Sequence, residues 1–205
     1  MLRMLKRRVQ TLADALQADW RGPRVISLGL VVLLASSLVV LAYYLNHPTP
    51  ETYPDTPTYL AVAQHIMSSG KLVDTIRLPG YPLLLTLAFL VAGQGNLLAA
   101  SIIQGALFVV AACEVYVITY LLTRRAWMAL VIGLLIGTNI ILLSYSKPIL
   151  SEGISLWMVT SLALALTLFL HTWRTRYFWL MVVFLLICMM TRPEWTYAAI
   201  ALPRR

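Results

Sequence analysis

The chain has 205 residues, of which 60% are apolar and 12% charged, and its mean hydropathy is +0.80. Those values exclude a soluble globular domain, which carries about a quarter of its residues as charges. The net charge of +8 does not point to nucleic acid either, because the basic residues sit at the ends of apolar runs and form no continuous polar face.

Residues 1–24 place Arg3, Lys6, Arg7, Arg8, Arg21 and Arg24 ahead of the first apolar run. That run is too long, and lacks the small-residue cleavage site, for a secretory signal peptide. Met4, Leu5, Val9, Leu12, Leu16 and Trp20 among polar neighbours predict a basic amphipathic helix on the membrane surface, an orientation anchor. The first span is predicted over Val25–Leu45, with Tyr43 and Tyr44 as its aromatic belt. Further spans are predicted over Leu97–Leu122, Trp127–Ser144, Gly153–His171 and Tyr177–Met190. A last apolar piece, Trp195–Leu202, is closed by Pro203-Arg204-Arg205 before it can cross, as expected of an amino-terminal fragment or a truncated product.

The loop over residues 46–96 holds most of the polar chemistry. Thr56 followed by Pro57 predicts a helix start, with Thr56 as N-cap and Pro57 at the first helical position. Tyr59, Val62, Ala63, Ile66 and Met67 then form an apolar stripe at helical spacing, and Gly70 ends it. Arg77-Leu78-Pro79-Gly80-Tyr81-Pro82 predicts a fixed turn. The following piece, Tyr81–Ala92, falls below the roughly 17 residues of an ordinary span and suits a re-entrant or interfacial helix. Charge counted through Arg192 supports that choice. Over that range, if Tyr81–Ala92 does not cross, ten basic residues face the cytoplasm against four outside (Lys71, Arg77, Lys147 and Arg192); if it crosses, the bias vanishes. The prediction is an all-α polytopic membrane protein of about five transmembrane helices plus two short interfacial helices. Its amino terminus is expected in the cytoplasm, and Asp55, Asp74, Glu152 and Glu194 on the outer side.

Several groups carry candidate chemistry, each with two readings. Asp55 either complements the dipole of the helix it precedes or faces the spans as a base or as a metal or phosphate ligand. Arg77 is either a snorkelling interfacial arginine or a planar fork for phosphate. Lys147-Pro148-Ile149-Leu150-Ser151-Glu152 and Arg192-Pro193-Glu194 each pair a cation with an anion across a proline, as local ion pairs or as functional charges at a depth where charge is costly. Glu114, deep in a span, reads as a structural carboxylate. Cys113 and Cys188 read as packing residues; His47, His65 and His171 have no ligand spacing; Gly95, Gly105, Gly133 and Gly137 read as helix-packing positions.

The order of Asp55 and Tyr59 in the first outer loop, then Gly70, then Arg77-Leu78-Pro79-Gly80-Tyr81-Pro82-Leu83-Leu84, then an acid after the third span and Thr191-Arg192-Pro193-Glu194, resembles the membrane glycosyltransferases of the GT-C superfamily. The nearest likeness is to the protein mannosyltransferase and lipid A aminoarabinose transferase branch, from about residue 25 onward. The resemblance implies transfer of a sugar from a polyprenyl-phosphate-linked donor to a lipid, glycan or protein acceptor on the outer face of a plasma (inner) membrane. It implies Asp55 and Glu152 as the catalytic acids, with Asp55 also the position for a divalent metal ion. Tyr59, Arg77, Tyr81, Lys147, Arg192 and Glu194 are then the substrate contacts. Members of the superfamily are longer, with more spans to complete the donor cavity. The alternatives are a transport or accessory subunit of glycan export and an inactive remnant.

Overall fold

The computed structural model describes residues 22–72, 77–195 and 197, so the predicted surface helix over residues 4–20, Asp74 and most of Trp195–Leu202 lie outside the described residues. The described chain is helical, with no strand: α1 Pro23–Asn46, α2 Thr56–Ser69, α3 Gly80–Ala92, α4 Leu97–Thr123, α5 Ala126–Gly137, α6 Ile140–Ser144, α7 Glu152–Thr172 and α8 Thr175–Thr191. Three of these, α1, α4 and α7, are long and apolar enough to cross a membrane. At 1.5 Å per residue the 13-residue α3 reaches only about 20 Å, short of the roughly 30 Å hydrocarbon thickness.

Helix α4 lies at the centre, packed against α1, α5, α7 and α3, while α8 lies outside α7 and also touches α3. Helices α1 and α4 run antiparallel. Tyr44, near the end of α1, donates to the Ser101 carbonyl near the start of α4 (2.7 Å), and Tyr116, late in α4, donates to the Val25 carbonyl at the start of α1 (2.6 Å). The connections Arg124–Arg125 and Trp173–Arg174 are so short that α5 and α8 must fold back beside their predecessors. One end of the bundle therefore collects residues 46–56, 97–101, 144–152 and 191–194; the other collects the cationic turns.

The seam between α5 and its neighbours depends on missing side chains. A Cβ on Gly133 would meet Val32 at 3.0 Å and Tyr116 at 3.1 Å, and one on Gly137 would meet Ser36 at 2.8 Å and Ala112 at 3.1 Å. Small residues let membrane helices approach this closely. Gly95 departs from the packing expectation: it sits in the α3–α4 turn at φ +77 with nothing within 4 Å of a Cβ.

Three local expectations are corrected. The span predicted over Trp127–Ser144 is broken at Thr138–Asn139, because the Asn139 side chain accepts from Leu142 N (3.0 Å) and starts α6 anew. The Arg77–Pro82 turn ends early, since Gly80, Tyr81 and Pro82 form the first turn of α3, where proline forfeits no intrahelical hydrogen bond. Thr56 is not a cap. Its hydroxyl accepts from Tyr53 N (2.9 Å) and donates to the Ile149 carbonyl (3.1 Å), tying the first loop to the segment before α7.

The two loop helices differ in their outer faces. Helix α2 buries Tyr59, Val62, Ala63 and Ile66 and exposes Gln64, His65 and Ser68, as an interfacial helix does. Helix α3 buries Tyr81, Leu85, Ala88 and Phe89 yet exposes Leu87, Leu90 and Val91. An apolar outer face suits hydrocarbon better than water.

Candidate functional site

The first loop supplies one half of the site. Asp55 stands at the start of α2 with no side-chain cap bond, and its Oδ1 lies 2.6 Å from Arg77 Nη2. Arg77 Nε donates to Thr58 Oγ1 (2.9 Å), and Thr58 in turn donates to the Asp55 carbonyl (2.7 Å). The guanidinium carbon sits 4.7 Å above the centroid of the Tyr59 ring. A planar fork pinned by a carboxylate, a hydroxyl and an aromatic face has few rotamers left, so it is preorganised. Five N–H donors on a guanidinium exceed what Asp55 and Thr58 use, which leaves capacity for an oxyanion.

The bend before α7 and the end of α8 supply the other half. Tyr59 Oη and Ser151 Oγ are 3.2 Å apart, and Ser151 Oγ donates to Glu152 Oε2 (3.2 Å). Glu152 Oε1 meets Arg192 Nη2 at 3.4 Å, and Arg192 Nε meets Glu194 Oε2 at 3.5 Å. A continuous run of polar contacts thus leads from Asp55 through Arg77, Tyr59, Ser151, Glu152 and Arg192 to Glu194. The partly exposed carboxylates, each held by a neighbour, can accept a proton, or a hydrogen bond from a hydroxyl, in place.

Beneath this run lies a buried support. Tyr59 and Tyr81 meet edge to face at 5.0 Å, and Tyr81 Oη donates to Gln104 Oε1 at 2.6 Å. Gln104 is fully buried in α4 and its amide donates to the carbonyls of Ser146 (2.7 Å) and Pro148 (2.8 Å). Burial pushes the Tyr81 phenol far above its ordinary pKa, helped by Tyr59 and Glu152, so it remains a donor to Gln104. Gly80 admits this arrangement: a Cβ there would collide with Thr191 Oγ1 and meet the Met190 backbone at 2.8 Å, so α3 seats directly on the end of α8.

Asp55, Tyr59, Arg77, Glu152, Arg192 and Glu194 therefore come together, with Tyr81 in the supporting layer. Lys147 stands apart: its side chain is 5% exposed and its Nζ pairs with Glu51 Oε1 at 3.2 Å. Of the two readings of Lys147 and Glu152, the local ion pair is not the one formed. Pro148 forms a backbone bridge with Glu51, and Ile149 N donates to the Glu51 carbonyl (3.0 Å), which turns Lys147 toward the first loop while Glu152 faces Arg192. Sequence reasoning passed over Glu51, Thr58, Ser151 and Gln104. Only Gln104 carried a signal, as a lone amide in an apolar span.

Glu114 has the structural setting expected of it, with one carboxylate oxygen accepting from Thr160 and the other from Ser161 (2.6 Å). At Asp55 the donor set does not fit a divalent ion. A guanidinium stands against the carboxylate, and among the described residues no three His, Cys, Asp or Glu side chains converge. Comparison with protein-family models, curated proteins and solved structures finds no match.

Proposed function

We propose that the chain is the sugar-transferring part of a membrane glycosyltransferase that uses a polyprenyl-phosphate-linked donor, with about five crossings and the site on the outer face of a plasma (inner) membrane. The observation that carries this reading is the convergence of the Asp55–Arg77 pair and the Glu152–Arg192–Glu194 triad at one end of the bundle, linked through Tyr59 and Ser151. Transfer needs cations for the departing phosphate and a carboxylate for the attacking hydroxyl, and this arrangement offers both.

In the reaction the acceptor oxygen bonds to the anomeric carbon of the sugar as the bond from that carbon to the phosphate oxygen breaks. The electron pair leaves with the polyprenyl phosphate, and the hydroxyl proton passes to a carboxylate. Asp55 and Glu152 are the two carboxylates within reach of that proton; Arg77 meets the phosphate oxygens with guanidinium donors beyond those its ion pair uses, and Arg192 holds Glu152 in place. Tyr59 and Ser151 hold the two halves in register; Tyr81 and Lys147 act from the supporting layer. A transport site would call for polar groups free near the mid-plane. The deep carboxylate, Glu114, has both oxygens bonded, which favours the transferase.

The test is sugar transfer from a radiolabelled polyprenyl-phosphate sugar in membranes, with protein level measured beside it. Asp55→Asn and Glu152→Gln should each lower the rate by about 10²–10⁴-fold at unchanged protein level, since each removes a base without changing shape. Near-normal transfer by both variants would sink the reading.

A further inference from the structure

A cleft of about 340 Å³ opens beside Glu152, walled by Phe108 of α4, Leu142 of α6, and Leu156, Trp157 and Val159 of α7. Its size lies within the range of small-molecule sites, and its walls are overwhelmingly apolar. Glu152 is the one charged side chain among its lining residues. From Glu152 to Val159 the helix advances about 10 Å, so the cleft runs from the polar end down along two turns of α7. A second apolar groove, between α1 and α4 around Val40, Tyr44 and Ile102, has no charged lining residue at all.

We propose that the cleft between α4, α6 and α7 holds the acyl chain of the acceptor, a membrane lipid whose uncharged head presents a free hydroxyl to Glu152. This names the acceptor class for the transferase reading above and rests on it for the word acceptor, though not for the binding itself. The apolar walls take hydrocarbon, which rules out a water-soluble glycan as the occupant. Charge then selects the head group. Arg192 is shared by Glu152 and Glu194, so this corner holds two carboxylates to one guanidinium and repels a phosphate. A hydroxyl instead donates to the carboxylate, as Ser151 already does from its other side. The donor phosphate is left to the Arg77 side of Tyr59, and the two lipids approach the same end from different faces.

The experiment uses the full chain in lipid nanodiscs with photoactivatable diacylglycerol and phosphatidic acid, which share their acyl chains and differ only in the head, and with a photoactivatable polyprenyl phosphate as the donor-type lipid. Diacylglycerol should label the α7 segment around Leu156–Val159 about fivefold more strongly than phosphatidic acid, a preference of the size one unscreened charge supplies. Val159→Trp and, from the opposite wall, Leu142→Trp should each remove most of that labelling while labelling of the α1–α4 groove persists, which shows the fold intact. Glu152→Gln should narrow the preference between the two heads. Equal labelling by neutral and anionic lipids, stronger labelling by the polyprenyl phosphate, or indifference to both tryptophans overturns the proposal. Labelling requires no sugar transfer, so inactive Asp55→Asn protein that keeps the preference separates this inference from the transferase reading.

Discussion

The two ends of the bundle treat charge in opposite ways. At one end Arg24, Arg124, Arg125, Arg174 and Arg176 stand without a salt bridge among the described residues, and the turns between helices are two residues long. At the other end Glu51, Asp55, Glu152 and Glu194 meet Lys147, Arg77 and Arg192 in ion pairs, and the turns are long, bent and hydrogen-bonded to one another. Cations at the ends of apolar helices cost little where their long side chains reach water (Arg124, whose Nη1 is buried, is the exception), and such cations bias which way a helix inserts. Charges fixed in pairs lose solvation and side-chain freedom, a cost justified where geometry matters. On the proposed reading the first end orients the chain and the second end binds the ligand.

The largest effect expected from that contrast is all-or-none. Reporter domains fused after Asp74 and after Glu152 should both report the outer side, and one fused after Arg125 the cytoplasm, following the ten-to-four basic bias. A cytoplasmic signal after Glu152 would break the comparison, since the paired end would then be split between two compartments.

A smaller effect tests whether the pairs are structural as well as functional. Lys147 is nearly enclosed, and Glu51, its ionic partner among the described residues, remains 42% exposed. Glu51→Gln should destabilise the protein by about 2 kcal/mol, below the range for a fully buried pair because water still reaches the carboxylate. Lys147→Met added to Glu51→Gln should recover most of the loss, as an apolar side chain has no charge to leave stranded. Chemical unfolding in detergent measures both; no loss for Glu51→Gln would show that Lys147 finds another partner.

Much of this could be read in the sequence because the bilayer imposes length and charge rules that local residues obey. The helix starts and stops around Gly70, Ala92, Leu97 and Thr172 follow from glycine, asparagine and run length, and the collection of Asp55, Arg77, Glu152 and Arg192 at one end follows from counting crossings. The partner assignments were not legible. Whether Lys147 meets Glu152 five residues on or Glu51 nearly a hundred residues back depends on a backbone bridge between Glu51 and Pro148, which has no local signature. The break at Asn139 also escaped, because an apolar run of full length hides a cap within it. Gln104 joins Tyr81 to the Ser146–Pro148 bend, and a lone amide in a span announces that it has partners without naming them.

The smallest effect compares how the two ends close their helices. Gly70 ends α2 at φ +69, a left-handed conformation that glycine adopts freely, whereas α4 ends on Arg124 at φ 59. A side chain in that region costs about 1 kcal/mol relative to glycine, and Arg124 Nη1 is in addition buried without a hydrogen-bond partner among the described residues. The amide of Arg124 makes the cap bond to the Tyr120 carbonyl (2.8 Å), which glycine retains. Arg124→Gly should therefore raise stability by about 0.5–1 kcal/mol, the relief of strain outweighing the greater freedom of glycine in the unfolded chain. The matching change at the other left-handed cap, Trp173→Gly, should not gain, because it removes the ring packed 5.4 Å from Phe169. If Arg124→Gly stabilises the protein yet mixes its orientation once Arg125 is also neutralised, the cationic end has kept a strained residue for its charge. A neutral or destabilising Arg124→Gly would instead show that Arg124 supports the fold by contacts, and the two ends would differ less than their charges suggest.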